Sequence, residues 1–408
     1  MTTRSCDILV VGAGLIGTAL ALGLEQQGWQ VTLVEAAPAD SLLALPQPAT
    51  GVETFEPRVS ALSIASQRLL SGLGAWPPAQ ADSRHCPYQR MVVWDGEGTG
   101  HIEFNAGELH APALGAIVEN SLVVRSLLQA ALASNIEVMA GVQVDGWWED
   151  GPRRGISLAD GRRVEARLTV AADGANSRLR QWVGLPTREW DYQQQALVCT
   201  VQTEQGHQNT AWQRFSATGP LAFLPLSTGS DDSQHFCSIV WSQDTSEAQR
   251  LAALDDENFM AELERAFEAR LGRIVAVSRR VSFPLRQRHA KDYVRPGLAL
   301  VGDAAHSIHP LAGQGANLGY SDVRVLLEEL ARARNDRLSP AHELVLARYQ
   351  RRRKGENLAM MAAMDGFRSL FGSDELAVRW VRNTGMRWLN SMPALRNRIA
   401  AEAMGMHK

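Results

Sequence analysis

Ile8-Leu9-Val10-Val11-Gly12-Ala13-Gly14-Leu15-Ile16-Gly17 decides how this chain begins to fold. A β-branched apolar run meets glycines spaced G-x-G-x-x-G, and Thr18 to Gln27 continues with a helical pattern stopped by Gly28. Val31 to Val34 is a second short strand, closed by Glu35 eighteen residues after Gly17. Strand, turn, helix and strand in this order predict a parallel βαβ opening. Each glycine answers a steric demand: Gly12 permits the tight turn, Gly14 lets backbone approach a pyrophosphate, and Gly17 lets helix pack on strand. The helix N-terminus supplies N–H groups and a partial positive charge for the phosphates, and Glu35 is placed to accept from ribose hydroxyls. A glycine turn without function needs no acid at that spacing. The unit alone does not separate FAD from NAD.

Two later stretches suit the same ligand. Gly302-Asp303-Ala304-Ala305-His306 follows a core strand, Leu298 to Val301. Asp303 then falls at a strand's carboxyl end, where ligands bind in open α/β sheets, and can accept from ribityl hydroxyls. Pro310 and Gly313-Gln314-Gly315-Ala316-Asn317 precede a helix whose N–H groups would face the flavin edge that gains negative charge on reduction. Alone, an Asp cap and a glycine loop explain this run equally well. Asp173-Gly174-Ala175-Asn176-Ser177 is a plain turn sequence that gains weight only from its place after a strand. Arg58 and Arg125 have common roles as surface cations or ion-pair partners. His306 and His309 lie in a loop near Asp303 with no thiolate, so no metal site is expected. Neither a G-x-S-x-G elbow nor a P-loop occurs.

The rest of the chain sets bounds. Its 408 residues suggest two or three domains, and 45% apolar with 21% charged content is that of an ordinary globular protein. A net charge of −3 gives no argument for nucleic acid. Four scattered cysteines without a C-x-x-C pair suit a reducing cytoplasm. The apolar run from Ile8 to Leu24 carries four glycines and no cationic leader, and it is read as strand, turn and helix rather than a signal or membrane span. Val59 to Leu73 reads as helix, Met91 to Trp94 and His101 to Phe104 as paired strands, and Ser121 to Ser134 as helix. Val138 to Val170 reads as an antiparallel meander, Tyr192 to Val240 as β-rich, and Asp256 to Leu271 as helix. From Asn317 onward the chain reads as helical.

From Ala341 to Lys408 there are twelve Lys/Arg against six Asp/Glu. Arg351-Arg352-Arg353-Lys354 there reads as a solvated helix face. The stripe Met360, Met361, Met364, Phe367, Leu370 and Phe371 reads as core packing. Arg379, Arg382 and Arg387 among Trp380 and Trp388 are expected to form a cationic surface whose neutralisation leaves the fold intact.

Together the three glycine-bearing stretches resemble the signature of single-component FAD aromatic monooxygenases, typified by 4-hydroxybenzoate hydroxylase. Within that class the chain looks like the ubiquinone-biosynthesis hydroxylases. The likeness is carried by Arg58-Val59-Ser60-Ala61-Leu62, Tyr88-Gln89-Arg90-Met91, Val118-Glu119-Asn120-Ser121, Ala171 to Ser177, and Leu298 to Leu318. Trp190-Asp191-Tyr192, Leu221 to Leu226 and Cys237 to Trp241 look closest to the branch that hydroxylates 2-polyprenylphenol at position 6, the future quinone C5. The branch acting on the later, methoxylated ring is a near relative.

The resemblance implies an α/β fold: a Rossmann-like FAD-binding domain (1–75, 105–185 and 286–350) interleaved with a β-sheet substrate domain (76–104 and 186–285), then a helical C-terminal region (351–408). It implies noncovalent FAD, NAD(P)H as a transient co-substrate, and O2. It places Gly12, Ala13, Gly14, Gly17 and Glu35 on the ADP part of FAD, and Gly302 and Asp303 on its ribityl and pyrophosphate region. Pro310, Gly313, Gly315, Ala316 and Asn317 fall at the isoalloxazine, Arg58 near the flavin, and Asp173-Gly174 at the motif shared by FAD and NAD(P)H. Arg125 stands where relatives vary. Phe223, Leu224 and Pro225 are expected to wall the substrate, and no catalytic side chain is assigned. The expected partner is a polyprenylphenol lipid; contact with a quinone-biosynthesis complex, with the inner-membrane surface from the cytoplasm, or with a second copy stays open. A flavin reductase of isoprenoid lipids and an inactive flavin-binding scaffold are the rival readings.

Overall fold

The computed structural model describes residues 3–78, 84–229, 234–307, 315–373 and 375–405. β1 (Thr3–Val11), α1 (Leu15–Gln26) and β2 (Val31–Glu35) form the predicted opening, with Val10 opposite Leu33 in parallel register. α1 is buried from Gly17 to Leu24, because it is covered on its outer side as well as against the sheet. After α2 (Ala39–Leu43) come β3 (Val59–Ser63) and α3 (Ile64–Gly72), then β4 (Cys86–Tyr88), β5 (Arg90–Asp95) and β6 (His101–Asn105). The single helix expected over Val59 to Leu73 is therefore strand and then helix. Val59 to Ser63 pairs antiparallel with β7 (Gly115–Glu119), and Ser63 caps α3 by accepting from Ser66 N–H.

α4 (Asn120–Leu132) leads to β8 (Glu137–Ala140), β9 (Val144–Asp150), β10 (Arg153–Leu158) and β11 (Arg163–Ala171). Only part of the expected meander is antiparallel. β9, β10 and β11 run antiparallel, but β8 joins β2 in parallel and β11 pairs in parallel with β1. α5 (Arg178–Trp182) follows, then β12 (Thr187–Thr203), β13 (Thr210–Phe215), β14 (Leu221–Pro225) and β15 (Phe236–Asp244). α6 (Thr245–Ala252) and α7 (Asp256–Ala266) precede β16 (Ile274–Val277), β17 (Val281–Ala290), β18 (Val294–Arg295), β19 (Leu298–Leu300) and β20 (His306–Ser307). The chain ends in α8 (Gly315–Asn335), α9 (Glu343–Phe371), α10 (Leu376–Asn390) and α11 (Pro393–Ala403).

Two large sheets result. The first runs β18-β19-β11-β1-β2-β8, with α1 and α8 packed on it so closely that a Cβ on Gly23 would lie 2.4 Å from Leu327. The second runs β20-β17-β12-β15-β14-β13-β5-β6 and has two apolar faces. One face packs Phe223, Ile239 and Trp241 against α6 and α7 through Leu251, Phe259 and Leu263. The other packs Ala222, Leu224 and Leu226 against Phe55, Ala61 and Ile117 of the β3–β7 region.

α9 and α10 correct the reading of the tail. Arg353 is fully buried and Arg352 pairs with Glu328 and Glu329, so the basic run is no solvated face. In the methionine-rich stripe Met361 and Phe371 are buried, whereas Phe367 is exposed.

Candidate active site

Four neighbouring parallel strands, β19, β11, β1 and β2, bring the motifs together. Their carboxyl ends carry Gly302-Asp303, Asp173-Gly174, Gly12 to Gly17, and Glu35 in that order. Ligands of open α/β sheets bind at such ends. The glycines divide by role. A Cβ on Gly12 would lie 2.5 Å from Ala172 O, and one on Gly17 would lie 1.9 Å from Gly12 O. Protein packing alone demands glycine at both. A Cβ on Gly14 would meet nothing within 4 Å among the described residues, so that position opens onto free space at the start of α1.

Glu35 Oε2 accepts from Ala13 N–H at 2.6 Å and Oε1 from Ala37 N–H at 2.8 Å. The carboxylate thus also ties the turn to the second strand. Asp173 Oδ2 accepts from Arg178 and Leu179 N–H, at 2.9 and 3.3 Å, while its Oδ1 is buried without a partner among the described residues. Gly174 has φ +80°, which suits glycine. Arg125 is 8% exposed; its Nε donates to Leu43 O, and its Nη1 has no partner among the described residues. A buried guanidinium with one nitrogen unpartnered among the described residues, a carboxylate oxygen likewise unpartnered and an open glycine turn fit a phosphate- and hydroxyl-bearing cofactor. Bound FAD would be held by these groups.

Asp303 is open to solvent at the cleft yet ringed by protein. Burial pushes its carboxyl above the usual Asp range, partly opposed by the charges of His306 and Arg58. Arg58, placed just before β3, thus acts electrostatically on Asp303, and its guanidinium also lies 5.2 Å from the Phe283 ring centre. Asp303→Ala is expected to weaken FAD binding by about 1–3 kcal/mol for each ribityl hydrogen bond lost. Undiminished FAD affinity in a titration of the refolded apoprotein would remove Asp303 from the site.

Asn317 is occupied by the protein. Its Nδ2 donates to Ala61 O at 2.8 Å, and its Oδ1 accepts from Ser63 N–H and Ser66 Oγ. Any contact of Asn317 with the flavin would come from backbone, and at the start of α8 a Cβ on Gly315 would meet nothing within 4 Å among the described residues. Ala316 packs on the main core. Pro310, Gly313 and His309 lie outside the described residues.

Phe223 does not face the flavin side, contrary to expectation. It stacks on Phe267 with ring centres 3.6 Å apart, on the far face of the sheet. Consecutive strand residues alternate faces, so three in a row could never share one wall. Leu224 is on the face toward β3; Pro225 is buried in the strand but belongs to neither cluster.

Three charged residues to which the sequence reading gave no part in the site organise it, Arg353 among them having been read as a solvated surface cation. Asp322 of α8 is fully buried; it accepts from Gly302 N–H at 2.8 Å, His306 Nε2 at 2.6 Å and Arg353 Nε at 2.6 Å. Burial alone would raise its pKa, but His306 and Arg353 outweigh that and hold it below the usual range. Arg353 Nη2 continues to Asn357, which donates to Tyr293 Oη, itself 2.9 Å from His289 Nε2. Burial drives His289 down to about 4, so that ring is neutral at pH 7. Arg180 is 3% exposed and donates to Ala304 O at 2.8 Å and Ala175 O at 2.9 Å, clamping two of the motifs together. A cavity of about 420 Å³ beside this clamp is lined by Arg180, Pro186, Glu189 and Arg288, and by none of the glycine-turn residues.

Comparison with known proteins agrees with the geometry. The FAD binding domain family model matches residues 5–363. The solved p-nitrophenol 4-monooxygenase PnpA of Pseudomonas putida DLL-E4 superposes with TM-score 0.77 at 18% identity, covering 99% of each chain. Pseudomonas aeruginosa PqsL, solved with 2-aminobenzoylacetate, superposes with TM-score 0.74 at 22% identity, over 94% of this chain and all of that one. These define the fold class, that of FAD-dependent monooxygenases. The 3-demethoxyubiquinol 3-hydroxylase of Escherichia coli K12 is 38% identical over 407 residues, 100% of both chains. The human mitochondrial ubiquinone biosynthesis monooxygenase COQ6 is 33% identical over 449 aligned positions, 97% of this chain and 92% of that one. The chain belongs to the family of ubiquinone-biosynthesis FAD-dependent hydroxylases and is an FAD-dependent monooxygenase. Among the described residues no helix is long and apolar enough to cross a membrane.

Proposed function

We propose that this enzyme hydroxylates the aromatic ring of a polyprenylated phenol or quinol on the route to ubiquinone, with NAD(P)H and O2 as co-substrates. The observation that carries the reading is the full-length likeness to the Escherichia coli hydroxylase of a demethoxyubiquinol. FAD, when bound and reduced, activates O2 so that one oxygen atom passes to an electron-rich ring.

The chain's own part is to position and to exclude. Glycine turns at three strand ends would hold the cofactor, and the Asp322 cluster fixes the Gly302-Asp303 turn. The packed apolar cluster of Leu224, Leu226 and Phe236, with Phe55 opposite, would border the ring site and keep water from it. Tyr88 packs against this cluster, and burial pushes its phenol up to about 12. Its Oη therefore keeps its proton at pH 7 and is not available as a base.

Two ring positions divide the reading. The segments around Trp190, Leu221 and Cys237 support position 6 of 2-polyprenylphenol, the future quinone C5. The name of the Escherichia coli relative supports the later demethoxyquinol. Turnover of both substrates under isotopically labelled O2, with mass and NMR analysis of the lipid, separates them. Label on the ring of the 2-polyprenylphenol at position 6 is the expected result. Label only in the demethoxyquinol product assigns the later step, and an unlabelled product ends the monooxygenase reading.

A further inference from the structure

We propose that the outward face of α10 docks this enzyme onto an anionic lipid surface. Trp380 is 67% exposed, Val381 57% and Trp388 59%, and Met392 lies one turn beyond at 37%. Positions 380, 384, 388 and 392 repeat every four residues, so they line one side of the helix and its exit. Single exposed apolar residues need no explanation, but two tryptophans, a valine and a methionine on one stripe form a patch.

The opposite face is locked, so the stripe cannot turn inward. Arg382 is 2% exposed and grips Asp95 twice, Nε to Oδ2 at 2.7 Å and Nη2 to Oδ1 at 3.0 Å. Its Nη1 donates to Leu370 O and Phe371 O at the end of α9. Arg379 donates to Glu97 O, and Met386 is buried against the turn after β5. Arg379 and Arg382 are thus structural, and neutralising them would loosen the helix rather than merely strip surface charge.

Charge identifies the occupant. α10 and α11 carry five arginines and one acid, Glu402. Arg382 and Arg396 pair with Asp95 and Glu108, whereas Arg379, Arg387 and Arg398 have no carboxylate partner among the described residues. Arg387 lies on the apolar face itself and is exposed. Tryptophan prefers the level of lipid headgroups, and unpaired arginines beside it are attracted by anionic ones. The position also suits delivery: the tail returns to the FAD side, where Ala65 N–H donates to Met404 O at 3.1 Å, next to the Ser63 and Ser66 that hold Asn317. A membrane occupant rests on the proposed prenylated substrate, whose tail resides in a bilayer.

The test uses the FAD-loaded full-length enzyme and substrate-free vesicles of phosphatidylcholine, with and without phosphatidylglycerol. Flotation should show binding to the phosphatidylglycerol vesicles that weakens with added salt. Trp380→Ser/Trp388→Ser should lower that partitioning by about tenfold, and Arg387→Gln/Arg398→Gln should remove its salt dependence. FAD content, circular dichroism and turnover of a short-chain, water-soluble phenol should stay unchanged in both. Equal binding to neutral vesicles, or equal partitioning of variants and parent, overturns the proposal. So does conversion of a dimer to a monomer by the tryptophan variant with vesicle binding unaltered, which gives the face to a second copy. Because the vesicles hold no substrate, this outcome is independent of the labelled-O2 result.

Discussion

Gly14→Val is expected to give a folded protein that binds no FAD. Gly14 has φ −76° and ψ −168°, extended backbone that any residue adopts, and a Cβ placed there would meet no atom within 4 Å among the described residues. Neither backbone strain nor packing requires glycine there, which leaves a ligand as the reason for it. An isopropyl group between the helix N-terminus and the pyrophosphate removes the close approach and should weaken binding by at least about a hundredfold, or ~3 kcal/mol. Gly17→Ala is the control with the opposite outcome. Its Cβ would sit 1.9 Å from Gly12 O, so this milder change should unfold the opening unit. Flavin absorbance after desalting, read beside circular dichroism, distinguishes the two. A folded Gly14→Val protein with full flavin content would falsify the placement of the pyrophosphate.

Asp322→Ala is expected to cost about 3–5 kcal/mol of stability, because it takes the buried carboxylate from a fully buried guanidinium and leaves it only the exposed Glu356. The same change frees Gly302 N–H and His306, so the remaining folded protein should also hold FAD loosely. Glu328→Ala, which breaks the half-exposed contact with Arg352, should cost no more than about 1 kcal/mol. Urea unfolding of both variants measures the contrast. The sign with pH is set by the depressed carboxyl of Asp322. Its contribution is whole above the ordinary Asp value of about 3.9 and fades as pH falls through the lower folded value. The variant should therefore lose less stability than the parent on acidification. A stability change for Asp322→Ala no larger than that for Glu328→Ala would show the cluster to be incidental.

Local pattern carried a good part of the fold. The opening βαβ unit needs only a β-branched run, a glycine turn, a helical stretch and an acid, all within Ile8 to Glu35, and that is what forms. The β-rich block from Tyr192 to Val240 was legible because its strands alternate or run apolar between turn residues. Val59 to Ser63 was not. Five residues of mixed propensity became a strand through pairing with Gly115 to Glu119, a partner the local window does not contain. The same holds for β8 and β11, whose parallel partners lie far off in the chain.

By itself the sequence determined the chemistry on offer: three glycine-bearing turns, each after an apolar strand, in the order that an FAD site needs. Only the tertiary structure decided how they act as one site. It set β19, β11, β1 and β2 side by side so that their carboxyl ends share a cleft. It chose which of Phe223 and Leu224 faces α6 and α7 and which faces the β3–β7 region, since strand alternation divides them but pairing alone assigns the side. It also buried Arg353 opposite Asp322 while leaving Trp380 and Trp388 in solvent. A side chain's charge or apolarity is written in the sequence, but whether it is paired, buried or exposed depends on neighbours that only the folded chain brings within reach.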